Sequence, residues 1–163
     1  MLVLGIDPGT ATTGYGVVSS AGDTLALVAA GTIETPAGAP LPARLQMIYR
    51  GLAEVIRAWD PTEAAIEELF FSKNARTALA VGHGRGVVLL ALADAGLPVS
   101  EYKPAQIKQA ITGYGQADKR QMQEMVRLLL GLDSIPKPDD AADAIAVAIC
   151  HMNTQRLGSL LSS

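Results

Sequence analysis

Apolar residues run unbroken from Leu2 to Ile6 and stop at Asp7, which is followed at once by the turn sequence Pro8-Gly9-Thr10. The lack of alternation, with β-branched Val3 and Ile6, predicts a central strand covered on both faces. Thr12–Ser20 reads as a second strand and Leu25–Glu34 as a third, with Gly22-Asp23 in the turn between them. Connections this short imply an antiparallel meander. After the Pro- and Gly-rich loop Thr35–Pro42, Leu45, Ile48, Leu52, Val55 and Ile56 recur at helical spacing and predict a helix over Ala43–Trp59. Glu63–Leu69 is a short strand, and a long helical stretch begins at Asn74, with Gly82, Gly84 and Gly86 implying close backbone packing or a break. Leu97–Tyr102 predicts a fifth strand, and Pro104–Thr112, Asp118–Leu132 and Asp139–Met152 predict three closing helices. The order fits an α/β fold: a mixed five-stranded sheet with helices on both faces.

A chain of 163 residues, 49% hydrophobic and 18% charged, predicts one compact domain over residues 1–163 and excludes a disordered protein. The net charge of −3 is no global sign of nucleic-acid binding, but a local basic patch suffices for that. The single cysteine, Cys150, cannot form an internal disulfide and lies in an apolar helix. It reads as a core residue in a reducing, cytoplasmic setting. The N-terminal run is short for a signal peptide and lacks a basic lead. No stretch reads as long and apolar enough to cross a bilayer, so no membrane role is expected.

Acidic residues stand at three stations: Asp7 at the end of the first strand, Glu67 and Glu68 at the end of the fourth, and Asp139, Asp140 and Asp143 at the start of the last helix. Taken singly, each has a plain explanation. Asp139 and Asp140 suit helix capping, the glutamates a solvated strand end, and Asp7 a turn. If the first and fourth strands are adjacent and the last helix lies across their ends, four of these carboxylates meet in one cluster. Two such charges about 4 Å apart repel by roughly 4 kcal/mol at an effective dielectric near 20. An all-oxygen cluster is therefore matched to hard cations, Mg²⁺ or Mn²⁺, and a pair of these supports phosphodiester displacement. Alternation along the strand admits only one of Glu67 and Glu68 beside Asp7, without deciding which.

The segments GIDPGTATTGYGVV, AIEELFFSKNARTAL, GHGRG, KQAITGYGQADKRQM and DDAADAIAVAICH, taken together and in order, resemble the RuvC family of bacterial Holliday-junction endonucleases over nearly the whole chain. The resemblance implies an RNase H-like fold and a nuclease that nicks two like-polarity strands of a four-way DNA junction symmetrically, in recombination and repair. It implies a tetrad of metal-holding catalytic acids at Asp7, Glu67, Asp140 and Asp143, with two Mg²⁺ per site and Mn²⁺ as the alternative. Some relatives carry a histidine where Asp140 stands, and some have a longer C-terminal extension than is expected here. Lys108 and Lys119 match the family's active-site lysines, with Lys119 expected at a phosphate near the metals. Phe70 matches its base-stacking aromatic, and Lys73, Arg76 and Arg120 are expected to contact DNA. A homodimer is implied, as are the branch-migration partners RuvA and RuvB. The helix carrying Ala78, Val81, Val87, Val88 and Leu89 is the expected dimer face, while Met122, Met125 and Trp59 are expected to pack inward. Three other readings compete: a YqgF-like RNase H relative acting on RNA, an ATP-binding module of the actin and sugar-kinase type suggested by DPGT and TGYG, and a non-catalytic DNA-binding module.

Overall fold

The structure is a computed structural model that describes residues 1–68 and 74–162. Strands β1 (Leu2–Asp7), β2 (Thr12–Ala21) and β3 (Thr24–Glu34) form the expected meander, followed by α1 (Leu41–Trp59), β4 (Glu63–Glu67), α2 (Ala75–Asp94) and β5 (Val99–Tyr102). Helices α3 (Pro104–Thr112), α4 (Lys119–Leu129) and α5 (Asp139–Leu161) complete the chain. The sheet order is β3-β2-β1-β4-β5. β1 lies at its centre, antiparallel to β2 and parallel to β4, and β5 is parallel to β4.

Side-chain alternation sorts the central strands into two cores. Leu4, Ile6, Ala64 and Ile66 pack with Ile48 and Leu52 of α1 and Val88, Ala91 and Leu92 of α2. Val3 and Ala65 face the other way, onto Ile107 and Ile111 of α3, Val126 of α4 and Ile145, Val147 and Ile149 of α5. The sheet is thus the middle layer of three. α5 is buried continuously from Ala144 to Met152, Cys150 included, as expected for a helix that is apolar all round.

Glycines let α5 lie against the sheet backbone. A Cβ on Gly5 would stand 2.0 Å from the carbonyl oxygen of Ala144, and one on Gly14 would stand 2.0 Å from that of Asp140. At the far end of the same face His151, fully buried, bridges Tyr102 Oη and Glu63 Oε2, each at 2.7 Å.

Four sequence expectations are revised. α2 does not break at its glycines; Gly84 instead lets it dock on the Asp7–Thr10 turn, where a Cβ would come within 3.2 Å of Thr10 Oγ1. Val88 is fully buried, and Val87 and Leu89 also pack toward the core, so the outward stripe of α2 is Leu79, Gly82, Gly86 and Leu90. Trp59 is 40% exposed at the end of α1 and does not pack inward, whereas Met122 and Met125 do. By length and composition α2 is also long and apolar enough to cross a membrane, contrary to expectation, although its Val88, Ala91 and Leu92 side is committed to the core.

Candidate active site

Asp7 ends β1 on the α5-facing side, two residues beyond Gly5 and four beyond Val3. β1 and β4 pair in a constant register, Val3 with Glu63 through Ile6 with Ile66. Continuing it by one residue sets Glu67 beside Asp7, on the same face as Ala65. This resolves the choice that alternation left open, because Glu67 continues the α5-facing row of Glu63 and Ala65, while Glu68 lies one residue beyond the strand, on a cleft shared with Asp7, Glu67 and Arg85. Gly14, opposite Asp7 on β2, admits the first turn of α5, which brings Asp140 over the strand ends. Asp143 follows one turn later on the same helix face.

The charges confirm the convergence. Burial raises Asp7 from the ordinary carboxylate range to about 7, and Asp143, Glu67 and Asp140 push in the same direction, with a hydrogen bond to Asp140 adding to it. Glu67 is raised by burial and by Asp143, against the opposing pull of Lys108 and Arg85. Asp143 is raised by burial and by Asp140 and Asp139, against Lys119. Four carboxylates from three elements therefore share one field. Among the described residues, no three side chains form a ready-made metal cage. An open, all-oxygen set is nonetheless the kind that suits Mg²⁺, which keeps several waters and is bound by few carboxylates together with substrate phosphates.

The cationic rim is built from α3 and α4. Lys108, Lys119 and Asp118 line one pocket with Glu67 and Asp143. Lys119 Nζ donates to Asp139 Oδ2 at 2.9 Å and lies 3.9 Å from Asp143 Oδ2. Asp139, also held by Gln123, is kept below the ordinary carboxylate range by that ammonium group and stays at the rim. Arg76 and Arg120 are exposed on the first turns of α2 and α4. Phe70 and Lys73 lie outside the described residues.

One site-supporting residue went unnoticed in the sequence. Arg85, in the middle of α2, is buried; it donates to the carbonyl of Glu67 and pairs with Glu101 Oε2 at 2.5 Å. It thereby ties the end of β4 to α2 and β5. The only sequence signal was a charge among the glycines of GHGRG. The turn itself is fixed by Thr13, which donates to the Gly9 carbonyl at 2.7 Å, and by Thr10, which donates to Ala80 at 2.8 Å.

Comparison with known proteins gives consistent results. The family model for crossover junction endodeoxyribonuclease RuvC matches residues 3–151. The RuvC of Chloroflexus aggregans is 62% identical over 162 residues, covering 97% of this chain and 99% of that protein. The RuvC of Syntrophomonas wolfei is 52% identical, covering 100% of this chain and 95% of that protein. The structure of T. thermophilus RuvC in complex with Holliday junction substrate superposes with a TM-score of 0.92 at 38% identity, covering 97% of this chain and 96% of that one. With an RNase H-like sheet, an acid on each of its two central strands and two more on the helix across them, this chain belongs to the RuvC family of crossover junction endodeoxyribonucleases.

Proposed function

We propose that the chain resolves four-way DNA junctions by symmetric, metal-dependent nicking of two like-polarity strands, leaving 5′-phosphate and 3′-hydroxyl ends, in recombination and repair. The observation that carries this reading is the convergence of Asp7, Glu67, Asp140 and Asp143 at the ends of β1 and β4 under the start of α5. These four acids are the ligands for two divalent cations, Mg²⁺ before Mn²⁺. When bound, the ions supply charge neutralisation, an activated water and support for the leaving oxygen. The protein's own part is positioning. β1 and β4 hold Asp7 and Glu67 side by side, and α5 sets the spacing of Asp140 and Asp143. Lys119 carries its ammonium group beside Asp143, where a scissile phosphate would enter, and Lys108 stands on the Glu67 side of the same pocket. Arg76, Arg120, Phe70 and Lys73 extend the DNA contact, the cations through phosphates and Phe70 by stacking on a base.

A two-fold target suits a two-fold dimer. The outward stripe of α2 offers its face: Leu79 and Leu90 are 64% and 54% exposed, and Gly82 and Gly86 would meet nothing if given a Cβ. Cooperation with RuvA and RuvB, a cytoplasmic location and a single nuclease domain over residues 1–163 belong to the same reading.

The test is a mobile synthetic four-way junction incubated with Mg²⁺ or Mn²⁺, with both nicks mapped. Paired nicks at symmetric positions are expected. Absence of metal-dependent nicking, or equal cutting of structured RNA, overturns the reading.

A further inference from the structure

The loop between α3 and α4 presents an aromatic ring that nothing in the proposed reaction uses. Gly113 ends α3 in the left-handed conformation at φ +74, and Tyr114 follows with 56% of its surface exposed. Its backbone is held firmly. The Tyr114 N–H donates to Thr112 Oγ1 at 3.1 Å, and its carbonyl accepts from Ala117 N–H at 3.2 Å. Its hydroxyl reaches only Gln116 Oε1, at 3.3 Å. A large side chain is thus displayed on a fixed backbone with its ring left to solvent.

The ring borders a groove of about 460 Å³ whose other walls include Arg120, Gln121 and Met125. That volume is within the range of ligand-binding clefts. Ala117 and Asp118 line both this groove and the pocket of Glu67, Lys108, Lys119 and Asp143, so the two are continuous around the start of α4. Both carboxylates on the groove are already engaged. Asp118 caps α4 by accepting from Gln121 N–H at 2.8 Å, and Glu124 pairs with Arg127 at 2.5 Å. Arg120 forms no ion pair among the described residues. The groove therefore joins a π-face, an apolar floor at Met125 and an exposed guanidinium whose charge is felt by Glu124, and it shares Ala117 and Asp118 with the pocket of Glu67 and Asp143.

We propose that this groove is a nucleotide subsite for the cleaved strand, with Tyr114 stacking on a base a short distance from the scissile phosphate and Arg120 contacting the adjoining phosphate. The inference rests on the nuclease reading above and adds an affinity and positioning element to it. A stacked base is recognised by its face, so Tyr114 adds affinity with little dependence on salt, whereas Arg120 acts through a phosphate and depends on it.

The experiment measures junction affinity by fluorescence anisotropy across a salt series, and nicking, for Tyr114→Ala, Tyr114→Phe and Arg120→Ala. Tyr114→Leu, which keeps bulk without a π-face, is the companion variant where Ala disturbs the loop. Tyr114→Ala and Tyr114→Leu are expected to weaken binding about tenfold with an unchanged salt slope, and Tyr114→Phe to retain it. Arg120→Ala is expected to lower the slope by about one. 2-Aminopurine placed along the cleaved strand should be quenched by the wild type at one position near the nick and released in Tyr114→Ala. A wild type that nicks normally, with Tyr114→Ala and Tyr114→Leu indistinguishable from it, overturns the subsite alone. A wild type that neither binds nor nicks overturns the nuclease reading and the subsite with it.

Discussion

Asp7 keeps its proton up to about pH 7, because it is buried and faces three other carboxylates. The sign of the consequence follows from linkage. The folded state binds this proton more tightly than the unfolded chain does, so stability falls as pH rises from the ordinary carboxylate range through about 7. Asp7→Asn should therefore raise stability at pH 8 by about 1–3 kcal/mol, less than the full shift because solvent and side-chain relaxation screen the neighbours. The gain should fade toward pH 4, as read by thermal melts at the two pH values. Mg²⁺ should raise the melting temperature of the wild type and do little for the variant. The same substitution should abolish nicking and leave junction binding at low salt intact, since affinity resides in Lys and Arg; a gel shift and a nicking assay report both. The sequence marked these acids as candidates because Asp7 and Glu67 close strands, Asp140 and Asp143 stand in the first turns of a helix, and such a cluster is costly unless compensated. Strand alternation alone could not separate Glu67 from Glu68; the family resemblance pointed to Glu67, and the face of the sheet that α5 covers agrees with it. Arg85 was not legible at all, since its function lies in reaching a carbonyl and a glutamate on two other elements. Arg85→Met should cost about 1–3 kcal/mol through the unsatisfied Glu67 carbonyl and should raise the Glu67 pKa further, because the guanidinium now lowers it.

The elements themselves follow from the periodicity of the chain, and their order was readable because short turns allow few topologies. The errors fell on α2. Glycine spacing suggested close backbone packing or a break; the first holds at Gly84, which seats against the Thr10 turn, and the 20-residue helix runs unbroken through all three glycines. Its apolar residues surround the axis, so the sequence could not say which side faces inward, and Val88 was assigned outward in error. The packing of α5 on β1 and β2 is the element contact that sets the site. Gly14→Ala would drive a methyl group into the Asp140 carbonyl and displace the start of α5. A loss of nicking of about 100-fold is expected, with junction binding less affected, when both are measured on the folded variant. Gly5→Ala presses on Ala144, deeper along the same helix, and should cost about 3 kcal/mol or more of stability by chemical denaturation.

For the whole molecule, the proposed two-fold dimer would hold two such sites at a fixed separation. Leu79→Glu together with Leu90→Glu places charges on the outward stripe of α2 and should convert a dimer to a monomer in sedimentation while leaving the melting temperature nearly unchanged, since both positions are exposed. A dimer that survives the double change would move the interface elsewhere. The net charge of −3 gave no sign of DNA, because a sum over 163 residues does not register two lysines, Lys108 and Lys119, set in one pocket with Glu67 and Asp143. The burial of α5 reaches further still. The helix that carries Asp140 and Asp143 is also the spine of the second core, so this end of the candidate site has no independent way to loosen. In amide hydrogen exchange, the middle of α5 should open only with the entire protein, and the chemistry should persist up to the melting transition and vanish within it.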